Sequence, residues 1–264
     1  MKFKVCSLFS GSSGNCTYIG TSSGGILIDA GVSARRIETA LLQRGISLKS
    51  IEAIFITHEH TDHTCGLRTL VKKHGFKVYA SKGTISELET GGALDYCKDF
   101  GVVSSEGVAL ADMLVRGFRT SHDSRESMGF RVCTGDGRTL SVATDTGCMT
   151  GEVRESLKGS DLVLIESNHD VEMLKNGDYP HFLKKRIMCD TGHLSNDCCA
   201  AELPSLAYSG VTRFILGHLS RENNSPELAY NTSLSALSSA GLKENRDFIL
   251  KVAPRTAVAP VMIL

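Results

Sequence analysis

Several absences narrow what this 264-residue sequence can be. No apolar run approaches the length that crosses a bilayer, and the opening residues Met1-Lys2-Phe3-Lys4-Val5 lack the apolar stretch of a secretory leader. A membrane-spanning or leader-exported protein is therefore not expected. Charge of one sign is missing as well: 29 basic residues balance 29 acidic ones at a pI near 7.1, so no global positive field draws the chain to membranes or along duplex DNA. Among 9 scattered cysteines there is no Cys-x-x-Cys pair, and Cys198 and Cys199 are adjacent, a poor geometry for bridging. A reduced, cytoplasmic setting is expected rather than a disulfide framework. Linkers and low-complexity tracts are lacking too, so the 41% hydrophobic content is read as one domain over residues 1–264 with a full-sized core.

What is present is concentrated in the heptapeptide Thr57-His58-Glu59-His60-Thr61-Asp62-His63, which directly follows the apolar run 51–56. Alternate residues of an extended segment share a face, so His58 and His60 can converge on one ion. A helix starting just beyond would turn Asp62 and His63 to another side, where they can hold a second. Neutral imidazoles with carboxylates suit zinc, iron or manganese, and such cysteine-poor sites with open positions are usually catalytic. Helix capping by Thr61 or Asp62 would account for one acidic residue, but not for three histidines at this spacing.

Along the chain, short strands are predicted at 3–9, 16–20 and 25–30. The connection Ser10-Gly11-Ser12-Ser13-Gly14-Asn15 admits two readings: a flexible hairpin, which composition favours because no P-loop lysine follows, or a nest of amides and hydroxyls that receives a phosphate. Asp29, closing the third strand, is open between a turn residue and a group that orients the histidine loop. Helices are predicted from Ser33 to Arg44-Gly45 and from His63 to Lys73. His74 at the end of the latter makes a helix-dipole contact. A strand at 77–80 and a helix at 82–89 follow. Antiparallel strands are expected at 112–121, 127–134 and 138–144; the first runs into His122 and the last into Asp145. A helix at 150–158 precedes a buried strand at 161–166, which leads into Ser167-Asn168-His169-Asp170. Pro180 opens a helix, Ser195 caps another after Gly192-His193-Leu194, and a strand from Arg213 ends at His218. Ser225-Pro226 starts a last helix, and 247–252 is a closing strand.

Candidate ligands that recur after separate strands, within alternating strands and helices, resemble the metallo-β-lactamase fold superfamily. Asp29, the His-x-His-x-Asp-His run, His122, Asp145 and His218 match its five motifs in order. The resemblance implies an α/β fold, a four-layer αββα sandwich, with two divalent ions (Zn, Mn or Fe) in a cleft between half-domains. His58, His60 and His122 would hold one ion and Asp62, His63 and His218 the other, with Asp145 bridging and Asp29 behind them. Within the superfamily, Ser10 to Asn15, Thr57 to His63, Ala143 to Gly147, Ser167 to Asp170, Gly192 to Asn196 and Gly217 to Ser220 with Asn223-Asn224 are similar to the WalJ/YycJ group of bacterial 5′→3′ DNA exonucleases.

That similarity implies a phosphodiesterase acting on DNA ends through a metal-bridging hydroxide. Asp62, His169 and His193 are then catalytic candidates, the two histidines contacting a phosphate or protonating the leaving oxygen. Structural roles stay open for both, as loop hydrogen-bonding and helix-terminus residues respectively. Ser12, Ser13, Asn15, His193, Ser195, Ser220 and Asn223 are the candidate substrate contacts. The short Asp145–His218 segment leaves no room for the cap domain of RNase J-like nucleases, and no tRNase Z-like arm is seen. A hydrolase of thioesters, lactones or β-lactams would use the same site. A di-iron oxidoreductase is disfavoured because His60 stands where such members carry a carboxylate. A metal-containing DNA-binding module is disfavoured by the neutral pI. Arg35-Arg36, Lys72-Lys73 and Lys184-Lys185-Arg186 are solvated faces or tracks for a DNA backbone, which sequence does not place.

Overall fold

Strands that are apolar on both faces need a partner layer on each side, and two seven-stranded sheets here meet that need by packing face to face under helices. The computed structural model describes residues 3–255 and 258–264; Met1 and Lys2, on which the reading of the chain's start partly rests, lie outside them. The first sheet opens with the antiparallel meander β1 (Lys4–Phe9), β2 (Cys16–Gly20) and β3 (Gly25–Ile28). Helix α1 (Ala34–Gln43), β4 (Ile51–Phe55), α2 (Thr61–Thr64), α3 (Leu67–His74), β5 (Lys77–Ala80), α4 (Lys82–Thr90) and β6 (Phe100–Val102) continue it with parallel pairings.

The second sheet repeats the plan. β7 (Val108–Leu110), β8 (Met113–Arg119), β9 (Met128–Thr134) and β10 (Thr139–Ala143) pair antiparallel. Then α5 (Gly151–Leu157), β11 (Leu162–Glu166), α6 (Val171–Asn176), α7 (His181–Met188), α8 (Asn196–Tyr208), β12 (Arg213–Gly217), α9 (Pro226–Ser239) and β13 (Ile249–Val252) add parallel strands. Strand β14 (Met262–Ile263) returns to the first sheet beside β1.

The side-chain period of two sorts each strand between layers. In β4, Ala53 and Phe55 face the second sheet while Ile54 faces α1 and α3. In β11, Leu162 and Leu164 face inward while Val163 and Ile165 pack under α5, α8 and α9. Among the described residues no helix is long and apolar enough to cross a membrane.

The structure departs from the sequence expectations in a few places. The helix expected over 63–73 is broken at Cys65-Gly66, because Gly66 passes directly under the Ala30–Val32 backbone and donates its N–H to the Ala30 carbonyl. The short edge strands β6, β7 and β14 and helix α6 were not expected. His74 accepts a place opposite Glu38 at 2.8 Å rather than acting through the helix dipole alone.

Gly31 shows how tightly the loop ends are packed. A Cβ there would collide with the Asp62 carbonyl, the same carbonyl that accepts the Asn15 N–H at 2.8 Å. We expect Gly31→Ala to cost about 1–3 kcal/mol, read as a lower midpoint in thermal unfolding, because only backbone can give way.

Candidate metal centre

The ends of β3, β4, β8, β10, β11 and β12 lie on one rim, and each contributes to a single cluster. Three of the residues there have left-handed backbone: Asp29 (φ 63°), Asp145 (φ 56°) and His218 (φ 53°). A non-glycine residue held in that region costs energy that the surrounding structure must supply, and such residues gather at functional sites.

Among the described residues four overlapping groups, each with its donor atoms within 4.8 Å of one another, gather here: His58/His60/His122, His58/His63/Asp145, Asp62/His63/His218 and Asp145/Glu166/His193/His218. Every residue expected to ligate a metal is therefore in the cluster. His58 comes at the end of β4, and His60, Asp62 and His63 follow around the short α2. His122 lies just past β8, Asp145 past β10 and His218 past β12.

Hydrogen bonds behind the rings aim them. Asp29 accepts from the Thr57 N–H at 2.8 Å and from His63 Nδ1–H at 2.8 Å. The Thr57 hydroxyl lies 3.0 Å from His58 Nδ1, and His122 Nδ1–H donates to the Gly192 carbonyl at 3.0 Å. With Nδ1 engaged, Nε2 of each ring is turned into the cluster, the arrangement that orients metal-binding histidines. The buried atoms His58 Nε2, Asp145 Oδ2 and His218 Nδ1 have no hydrogen-bond partner. His218 Nδ1 and Asp145 Oδ2 are 2.9 Å apart yet out of hydrogen-bond alignment. Buried polar atoms are rarely left so; donors converging on a common cation account for it.

Electrostatics says the same. Burial raises the Asp29 carboxyl, against the pull of His63. Burial would also raise Asp145, but the His218 and His63 charges hold it well below the carboxylate range. Asp62, likewise, is lowered against its burial by the hydrogen bond and charge of His63. His63 is raised well above its ordinary value because Asp145 and Asp29 outweigh burial, and His218 is pushed up to about 10 by Asp145. Burial instead lowers His58 well below its ordinary value and also lowers His122, so those rings stay neutral, as ligands must. The carboxylates demand positive charge at the His63/His218 end, which protons or a divalent cation can supply. The chemistry of the donor set fits divalent metals.

Glu166 was not anticipated. Fully buried at the end of β11, it accepts from His193 Nδ1–H at 2.8 Å and from the Thr146 N–H at 2.8 Å, and stands 3.3 Å from His218 Nδ1. Burial would raise it, but the His193 charge brings it to about 2, and Glu166 in turn raises His193 against burial. The signal available in sequence was a carboxylate ending an apolar strand, as Asp29 and Asp145 do.

His193, Ser12 and Ser220 line a cleft of about 170 Å3 beside the cluster, with Asn168, Tyr179 and Arg186. Ser13 lies in a neighbouring hollow with Ser12, Arg221 and Arg255. Other expected substrate contacts are buried, and Asn15 and Ser195 are engaged within the chain. Asn15 accepts from the Gly11 N–H at 2.9 Å and sits 3.1 Å from His63 Nε2. Ser195 caps α8 by accepting from the Cys198 N–H. Asn223 is 1% exposed. His169 also lies outside every donor group; buried at 2%, it is pushed down to about 4 by burial, and its carbonyl accepts from Asn196. Of the basic runs, Lys73 pairs with Glu38, Lys72 lies over Tyr96 and Arg36 over Phe9, while Arg186 pairs with Asp123 at the cleft.

An αββα sandwich with this donor constellation at its strand ends defines the metallo-β-lactamase-fold class of metal-dependent hydrolases. Residues 25–219 match the family model described as the beta-lactamase superfamily domain. The chain is 36% identical over 259 residues to Exodeoxyribonuclease WalJ of Streptococcus pneumoniae, covering 97% of this chain and 96% of the relative. It is 36% identical over 223 residues to Exodeoxyribonuclease YycJ of Bacillus anthracis, 84% of each. In fold it is similar to the metallo-β-lactamase fold protein YhfI of Bacillus subtilis, with a TM-score of 0.74 across the whole of both chains at 14% identity. The chain belongs to the beta-lactamase superfamily and, within it, to the family of WalJ and YycJ.

Proposed function

We propose that this chain is an exodeoxyribonuclease that removes nucleotides from the 5′ ends of DNA with two divalent ions, of zinc, manganese or iron. The reading is carried by 36% identity, over nearly the whole chain, to a curated exodeoxyribonuclease. In this assignment His58, His60 and His122 would hold one ion and Asp62, His63 and His218 the other, with Asp145 within reach of both sets. When bound, the ions supply a hydroxide nucleophile at neutral pH and neutralise charge on the phosphate.

The chain's own residues do the rest. Asp29, Thr57 and the Gly192 carbonyl fix ring orientation, so little rearrangement accompanies reaction. Glu166 accepts from His193 Nδ1–H and favours the charged form of the ring against its burial, and at the cleft His193 can donate to a phosphate or leaving oxygen. Ser12, Ser220 and Arg186 line the path of the strand.

The test is direct: purified protein with manganese should shorten duplex DNA carrying a 5′ phosphate from that end, and a chelator should stop it. Intact DNA beside rapid turnover of a thioester or β-lactam would replace the proposal with small-molecule hydrolysis. Chelation should also lower thermal stability. A ligand at 100-fold over its Kd contributes about 2.7 kcal/mol, so stripping it should lower Tm by about 5–11 °C, restored by adding metal back.

A further inference from the structure

One wall of the cleft plays no part in the donor set. It is α7 with the segment leading into it, and α7 buries none of its residues. Leu183 and Ile187, four apart and so on one face, line the cleft together with Tyr179. Phe182 on the same helix is 73% exposed. Facing them are His193, Ser220 and Gly192, whose carbonyl holds the His122 ring. The result is a hollow of about 170 Å3 with apolar lining from one side and polar lining that includes His193, a member of one donor group. Pockets for drug-sized ligands run to roughly 300–1,000 Å3, so this one has room for about one ring system. Lys184, Lys185 and Arg186 make the same helix basic, although Arg186 already pairs with Asp123 and Lys184 donates to the Lys175 carbonyl.

We infer that this hollow takes a single unpaired nucleobase, the terminal base of the strand being cut, laid against Tyr179, Leu183 and Ile187. The inference rests on the exodeoxyribonuclease reading for the identity of the strand. A base is flat and apolar on its faces and polar at its edges, which suits one wall of each kind. A phosphate or sugar alone would leave the apolar wall without a partner, and a base pair is too wide. The enzyme therefore works on an end whose terminal pair has opened. Opening is least costly at a mismatched end, and stacking on an aromatic side chain compensates for it.

The probe is a DNA strand with fluorescent 2-aminopurine as its 5′-terminal base and a hydrolysis-resistant phosphorothioate at the first linkage, bound to the manganese-loaded protein. The chain has no tryptophan, so the emission of the base is read without interference from that residue. Emission should change on binding with the label at the 5′ end and not at the 3′ end. Affinity should fall about tenfold in Tyr179→Ala, within the range of one base–aromatic stack, and be retained in Tyr179→Phe. Leu183→Ala, at a half-buried position of a helix with no fully buried residue, should weaken the response in the same way. Equal responses at both ends, or Tyr179→Ala behaving as wild type, would overturn the inference whether or not hydrolysis is seen. In turnover, removal of the first nucleotide should be severalfold faster from a mismatched end than from a G·C end, and equal rates would also overturn it. A 5′-specific response from a protein that never cuts the unmodified strand would instead sink the exonuclease reading and leave the base pocket standing.

Discussion

Replacing Asp145 by alanine should remove at least about 10³-fold of the hydrolytic rate, together with much of the bound metal. Loss of one preorganised electrostatic partner commonly costs about 10²–10³ in rate, and Asp145 is shared by more than one donor group. Its Oδ2 lies 3.2 Å from His63 Nε2 and 2.9 Å from His218 Nδ1, and its Oδ1 lies 3.9 Å from His122 Nε2. Without that carboxylate, His63 and His218 lose the partner that holds each of them up against burial, and the buried space between them loses the negative charge that draws a cation. Alanine also pays for the left-handed backbone at φ 56°, roughly 1–2 kcal/mol. Asp145→Asn separates the two effects, since asparagine tolerates that conformation and keeps the shape while losing the charge. Metal content by elemental analysis and initial rates on 5′-phosphorylated duplex are the measurements. Either variant keeping full metal and a rate within tenfold of wild type would refute the shared role of Asp145.

The second large effect is expected at Glu166. Glu166→Gln leaves the volume but removes the charge that faces His193 at 2.8 Å and His218 at 3.3 Å. Breaking a buried pair by neutralising one partner typically costs about 3–5 kcal/mol, and losing a group that orients metal-site histidines costs about 10–100-fold in activity or metal affinity. His193, raised by Glu166 against its burial, should titrate at lower pH in the variant, visible in the histidine signals of an NMR pH series. The sign of the pH effect follows from the carboxylate. Its folded value of about 2 lies below the ordinary 4.5, so its contribution is complete above pH 4.5 and lost as pH falls towards 2. Stability of the wild type should therefore drop more steeply over that window than stability of Glu166→Gln. Parallel acid profiles would refute this account.

Much of the centre could be read from the chain because His58, His60, Asp62 and His63 are crowded into one turn of sequence beyond an apolar strand. His122, Asp145 and His218 are each unremarkable alone and gained meaning from order and from a shared strand-end position. Glu166 was missed for a physical reason: a carboxylate after Leu162-Val163-Leu164-Ile165 reads as a polar stop, and only the fold brings it beside His193, which is 27 residues further on. The buried loops misled in the opposite direction. Asn15 and Ser195 have the chemistry of phosphate contacts, but local backbone groups claim them first, as short polar side chains in turns and caps often allow. The strands that escaped notice, β6, β7 and β14, are two or three residues long, too short for any period to show. The break at Gly66 depended on a backbone from elsewhere in the chain lying across it.

Both ligand sets assigned to the ions draw on strand ends from both sheets: His58 and His60 with His122, and Asp62 and His63 with His218. Neither half of the polypeptide carries a complete set of its own. A cation held by either proposed set would work as a rivet through the seam, and its grip would measure how firmly the two halves are seated. On the proposed assignment high affinity would arise only after the halves have met, which would put metal capture at the closing stage of folding, where it rewards the assembled state.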